Sequence, residues 1–183
     1  FYPIEVQNTA IIHGNDNHFQ AIFYDEYGNV AANKIVSFRV NGEDTVVTTD
    51  ANGLAIFNKD LPIGIYDVTV INAYVNEEKT YNLKVFTSIE SDDMTRAYNT
   101  GMDFKVELLD ENGDTLSKGY ALFNVNNKDY PVVADNNGVA ILNANLPVGT
   151  HTVTITNGRT GETKTNKITI VPSVIANDMV RGY

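Results

Sequence analysis

The sequence predicts an all-β protein made of two tandem β-sandwich domains. Three observations lead there. Shifted by 85 residues, the chain aligns with itself without a gap. Apolar and polar residues alternate in short runs, as half-buried strands require. Turn residues separate the runs, and no segment sustains a helical period.

The repeat is specific. Asp25-Glu26-Tyr27-Gly28 falls on Asp110-Glu111-Asn112-Gly113, and Asp50-Ala51-Asn52-Gly53 falls on Asp135-Asn136-Asn137-Gly138. Leu61-Pro62-Ile63-Gly64 falls on Leu146-Pro147-Val148-Gly149. Asp93-Met94-Thr95-Arg96-Ala97-Tyr98 recurs at the end as Asp178-Met179-Val180-Arg181-Gly182-Tyr183. This period is too long for a solenoid and suits a small independent β domain. We expect domains at 1–86 and 87–171, with 172–183 the start of a third repeat or the final strand of the second. Periodicity does not fix the phase: units at 14–98 and 99–183 fit equally well.

Within a unit, strands are expected near 18–24, 34–40, 45–49, 54–57, 66–72 and 79–86, with a weaker one near 4–12. In 104–108, Phe104, Val106 and Leu108 alternate with Lys105 and Glu107, so the first three face the core. By repeat, Phe19, Ala21 and Phe23 face inward. Phe38, Val40, Val68, Val70, Leu83 and Val85 do the same, each with an apolar match in the second copy. Gly28 and Gly113 stand where a turn needs positive φ. Asn41-Gly42 and Asn157-Gly158 read as hairpin turns. The polar stretch Thr87–Asp92 reads as a short, stiff linker.

Composition narrows the function. The net charge of −10 disfavours nucleic acid, whose binding needs a basic stripe. An anionic bilayer would repel the chain, and no run is long enough to span a membrane. Cysteine is absent, which removes disulfides, thiolate metal sites and a cysteine nucleophile. Asparagine is frequent, against a hyperthermophilic source. No Asn opens a glycosylation sequon. Phe1 in place of Met, with no signal peptide, leads us to expect a fragment or processed piece.

The string Val-x-Thr-Thr-Asp-x-Asn-Gly-x-Ala at 46–55, followed by Leu-Pro-x-Gly-x-Tyr-x-Val-Thr-Val at 61–70, resembles bacterial-type immunoglobulin-like repeats. Invasin and intimin are relatives of that group. It is most similar to the repeats of adhesin-like surface proteins of methanogenic archaea, as is the unit opening at Asp93–Tyr98 with Gly101. The resemblance implies immunoglobulin-like sandwiches in an extracellular stalk at the cell surface. Its partners would be neighbouring repeats of the same chain, with binding to a host or partner protein or glycan carried elsewhere. The Leu-Pro-x-Gly-x-Tyr string also resembles collagen-adhesin pilin domains, which often carry a Lys–Asn isopeptide bond. The candidates here do not recur: Lys105 matches Gln20, and Asn82 matches Lys167. Lys79 and Lys164 correspond but border a turn.

No catalytic, cofactor or metal residue is assigned. His13 matches Tyr98 and His151 matches Tyr66, so both occupy aromatic positions and read as half-buried rings at strand ends. His18 matches Asp103. Asp25, Glu26 and Asn29 match Asp110, Glu111 and Asp114, which could offer oxygens to Ca²⁺. The same pattern describes a plain turn, because Asp bonds its own backbone. Glu90, Asp92 and Asp93 form a second acidic group. Tyr66 reads as a tyrosine corner, its hydroxyl bonded to upstream backbone, with His151 able to do the same. Tyr27 and Tyr74 could form a carbohydrate platform, but their matches are Asn112 and Arg159. We therefore expect a monomeric, non-enzymatic stalk module, with a glycan- or protein-binding module as the alternative.

Overall fold

The computed structural model describes residues 2–101 and 103–173. The chain divides at Thr87/Ser88 into two compact units. In the first, the strands are β1 (Ile4–Gln7), β2 (Ala10–Ile12), β3 (Gln20–Phe23), β4 (Ile35–Val40), β5 (Glu43–Thr48), β6 (Leu54–Ile56), β7 (Gly64–Asn72) and β8 (Glu77–Phe86). The second unit contains β9 (Ile89–Glu90), β10 (Met94–Ala97), β11 (Phe104–Leu108), β12 (Tyr120–Val125), β13 (Lys128–Val133), β14 (Val139–Leu142), β15 (Gly149–Asn157) and β16 (Thr163–Val171).

Each unit is a sandwich of a three-stranded and a five-stranded sheet. The first unit orders its sheets β1-β3-β6 and β2-β8-β7-β4-β5. The second repeats this as β9-β11-β14 and β10-β16-β15-β12-β13. Sheet neighbours are antiparallel except β2 with β8 and β10 with β16, which are parallel. This distribution of strands over two sheets is that of an immunoglobulin-like sandwich, with the opening strand split between the sheets.

Alternation decides which face of each strand is buried. Phe19, Ala21, Phe23, Phe38, Val68, Val70 and Leu83 are fully buried, and Val40 and Val85 nearly so. Their second-unit matches are buried as well. Phe38 lies edge-on to Phe19, Phe23 and Phe57, with centroids 5.8–6.2 Å apart. The second core has one such pair, Phe104 with Phe123. There Leu142 replaces Phe57, while Tyr130, at the position of Thr45, packs against the core from its edge.

Two local expectations are corrected, and one left open by the repeat is resolved. The weak strand at 4–12 is two strands, because Asn8 takes φ 60° and carries the chain from one sheet to the other. Its amide donates to His18 O at 2.9 Å, which suits an Asn in the left-handed region. The segment read as a linker is built into the second sandwich: Ser88 and Ile89 are fully buried, and β9 pairs with β11. The Asp93–Tyr98 strand joins the sandwich that follows it, through β10 and β16. The matching segment 174–183 lies outside the described residues.

Candidate functional site

The acidic turns are built from backbone. Asp25 Oδ1 accepts the N–H groups of Tyr27 and Asn29, both at 2.9 Å. Asp50 accepts those of Asn52 and Leu54, and Asp135 those of Asn137 and Val139. Asp110 accepts the N–H of Asp114 at 3.0 Å. The bond from Asn29, helped by Tyr27, holds the Asp25 carboxyl below the ordinary carboxylate range. These oxygens serve as Asx-turn acceptors. Among the described residues, no group of three or more His, Asp and Glu is placed to hold a metal ion.

Asp93, read from sequence as part of an acidic group, works with residues that the sequence reading did not connect. It accepts the Lys167 N–H at 2.8 Å and the Asn166 amide at 3.2 Å. Asn166 in turn accepts from Ser91 Oγ, and Lys164 Nζ donates to Ser91 O at 2.8 Å. The Lys167 N–H, then Asn166, keep the Asp93 carboxyl below its usual range. A Lys–Asn crosslink needs a buried, protonated acid as proton shuttle. Asp93 is exposed and charged, so the cluster is a non-covalent clamp between the β9–β10 crossing and β16. Of the other crosslink candidates, Lys105 is exposed and Asn82 bonds Asp67.

The histidines are dispersed. His13 is exposed rather than half-buried, because it lies past the end of β2, where its Nδ1 is 2.9 Å from Leu61 O and 3.4 Å from Asp60. His151 is buried beside the β12–β13 turn. His151 Nε2 donates to Pro147 O at 2.8 Å, so Nδ1 accepts from the Asn126 amide at 3.1 Å. Tyr66 O–H donates to Pro62 O, also at 2.8 Å. The tyrosine corner and its histidine counterpart are both present.

A buried asparagine recurs that sequence reading saw only as a turn signal. Asn157 is fully buried, and its amide donates to Leu109 O, Ser88 O and Ser88 Oγ at 2.9–3.2 Å. Asn72 does the same toward Tyr24 O and Pro3 O. Each Oδ1 also accepts from the following turn. Asn157-Gly158 is therefore not a two-residue turn. Asn157 ends β15, and the loop closes with Gly161 at φ 76°.

The described residues also form concavities. A recess of about 250 Å³ beside the end of β2 is lined by His13, His18, Asp60 and Leu61, among others. The second unit has its counterpart, about 270 Å³, with Tyr98, Asn99, Asn143 and Asn145. An open groove of about 500 Å³ in the first unit is lined by Tyr2, Ile4, Glu5, Val6, Tyr24 and Gly28. There Tyr24 O–H donates to Glu5 at 3.1 Å, which raises the phenol above its ordinary value. Tyr27 is exposed, and Tyr74 carries the Lys34 ammonium 5.2 Å from its ring centroid.

No protein-family model matches this chain, and no curated protein sequence matches it. Among solved structures, it is similar to the fibronectin(III)-like modules of Clostridium thermocellum CbhA, at 11% identity and TM-score 0.35 over 98% of this chain and 100% of that one. A Ca²⁺-stabilised ice-binding adhesin of an Antarctic bacterium is similar at 17% identity and TM-score 0.36, over 93% of this chain and 49% of the adhesin. A titin fragment is similar at 11% identity and TM-score 0.32, over 93% of this chain and 98% of the fragment. These are likenesses of fold at low superposition scores. The assignment as an immunoglobulin-like sandwich stands on strand order and burial.

Proposed function

We propose that this chain is a non-enzymatic stalk or spacer module of a cell-surface adhesin, working outside the cell and projecting a binding domain located elsewhere. One observation carries the reading: the buried framework and its turns recur between the units, whereas the aromatic and histidine candidates on the surface do not. The core faces, the buried Asn72 and Asn157, and the corner bonds of Tyr66 and His151 all repeat. The aromatic and histidine surface candidates do not. Tyr24 and Tyr27 give way to Leu109 and Asn112, Tyr74 to Arg159, and His18 to Asp103. A spacer needs each unit to fold stably and needs no common surface site. Its partners would be neighbouring repeats in the same chain.

Stretching a single tethered chain tests this. Two separate unfolding events with equal contour gain, plus silence on glycan and protein binding panels, are the expected result. One merged event would remove the spacer reading. The Tyr2–Tyr24–Glu5 groove favours a second reading, in which the first unit binds a glycan or partner protein. Saturable binding that Tyr24→Ala abolishes would establish it over the first.

A further inference from the structure

We propose that Asn41 is a site of spontaneous covalent modification, in which its side-chain amide is lost through a succinimide ring. Five Asn-Gly pairs occur in the chain: Asn41-Gly42, Asn52-Gly53, Asn112-Gly113, Asn137-Gly138 and Asn157-Gly158. Sequence treats them alike. The structure separates them by whether the two reacting groups are free.

The reaction joins the glycine backbone nitrogen to the asparagine Cγ. Gly42 N loses its proton as the new C–N bond forms, and the side-chain nitrogen takes up a proton and leaves as ammonia. Water then opens either carbonyl of the ring, giving aspartate or isoaspartate at position 41. The step needs an unbonded glycine N–H, an untethered asparagine side chain, and a peptide able to rotate onto it.

Only Asn41-Gly42 meets all three conditions among the described residues. Gly53 N donates to Asp50 O, Gly138 N to Asp135 O, and Gly158 N to Tyr120 O. Asn157 is also buried, with its amide held by three acceptors. Asn112 is engaged in contacts of its own. Asn41 and Gly42, by contrast, are exposed, and neither the Asn41 amide nor the Gly42 N–H is hydrogen-bonded. They form the two-residue turn between β4 and β5, with φ 52° and 78°, a type I′ geometry. Types I′ and II′ both join hairpin strands and both keep φ positive at the first central residue. They differ by a flip of the central peptide, which returns Gly42 to negative φ and turns Asn41 to a ψ that a non-glycine residue visits only transiently. That flip turns Gly42 N toward the Asn41 side chain.

The second unit supplies an internal control. Its equivalent turn is Asn126-Asn127, with φ 53° and 60°. There the Asn126 amide is held by His151 Nδ1 at 3.1 Å. In the first unit the position of His151 is taken by Tyr66, whose hydroxyl is committed to Pro62 O. The turn is shared, and the tether is missing in the first unit.

The test is peptide mapping by mass spectrometry of the whole chain, incubated in mildly alkaline buffer. Amide loss at position 41 should outrun that at 52, 137 and 157 by about tenfold, the factor set by roughly one hydrogen bond that must first break at the others. In denaturant the five pairs should converge. Tyr66→His, which builds the second unit's tether into the first, should slow position 41 in the folded protein only. Amide loss at 52, 137 or 157 matching position 41 in the folded chain would overturn the proposal, as would the same ranking persisting in denaturant. The denaturant comparison decides the matter even if the substituted protein does not fold.

Discussion

Tyr66 and His151 occupy equivalent places in the two units and make the same bond, each donating to the carbonyl of the proline four residues upstream at 2.8 Å. A phenol and an imidazole thus perform one task, closing the loop that leads into β7 or β15. The bond should be separable from the ring. Tyr66→Phe and His151→Phe are each expected to cost about 1 kcal/mol in denaturant unfolding. His151→Tyr should recover most of that loss. A loss well above this value for Tyr66→Phe would show that the hydroxyl does more than bind Pro62 O.

Asn72 and Asn157 should be far less replaceable. Substituting leucine at either removes the donor to Tyr24 O or to Leu109 O, while Pro3 O and Ser88 O keep the Tyr24 and Leu109 N–H groups. Such an orphan costs about 1–3 kcal/mol, so Asn157→Leu should lose about 2 kcal/mol. Asn72→Leu should lose less, because Asn72 has fewer acceptors and one is at 3.4 Å. Equal and small losses, measured for each unit separately, would contradict this account.

The Asp93 clamp gives the second unit a pH signature. The folded carboxyl titrates below its ordinary value. Its contribution is therefore complete above the unfolded carboxylate pKa, about 4, and is lost as pH falls through the lower folded value. Acid unfolding of the second unit should shift when Asp93→Asn is introduced, while the first unit, with Asn8 at this position, keeps its profile. Coincident acid transitions with and without the substitution would exclude the clamp.

The two cores should respond unequally to the same truncation. Phe38 touches three rings and Phe123 only one. Phe38→Ala is expected to cost about 3–5 kcal/mol, with Phe123→Ala at the lower end of that range. Calorimetry of each variant would show which unit's transition moves and by how much.

Much of the sandwich was legible in the sequence because alternation reports faces directly. Phe19, Ala21 and Phe23 could be set inward from the pattern at 104–108 alone. Strand partners were not legible, since a period of two says which side a residue faces and nothing about its neighbour. Hence the parallel pairing of β10 with β16, and with it the phase of the first joint, emerged only from the structure. The crossing at Asn8 was hidden for a different reason. A single residue of positive φ breaks the ladder without disturbing the apolar pattern on either side. The polar anchors were missed because Asn157-Gly158 has the composition of a tight turn, whereas burial is what gives Asn157 its role. Surface candidates such as Tyr27 were visible, but their isolation was visible too, in the residues that replace them one repeat later.

The side-by-side, same-direction arrangement of β2 with β8, and of β10 with β16, bears on how each unit would carry load. The chain enters each unit through β1 or β9, crosses to the first member of the pair, and runs its last described strand as the second. Tension on the ends would drag the pair along its own length, so its cross-links must yield together rather than one after another. Three residue pairs resist in the first unit and four in the second. Under slowly rising force the first sandwich is thus the one that gives way.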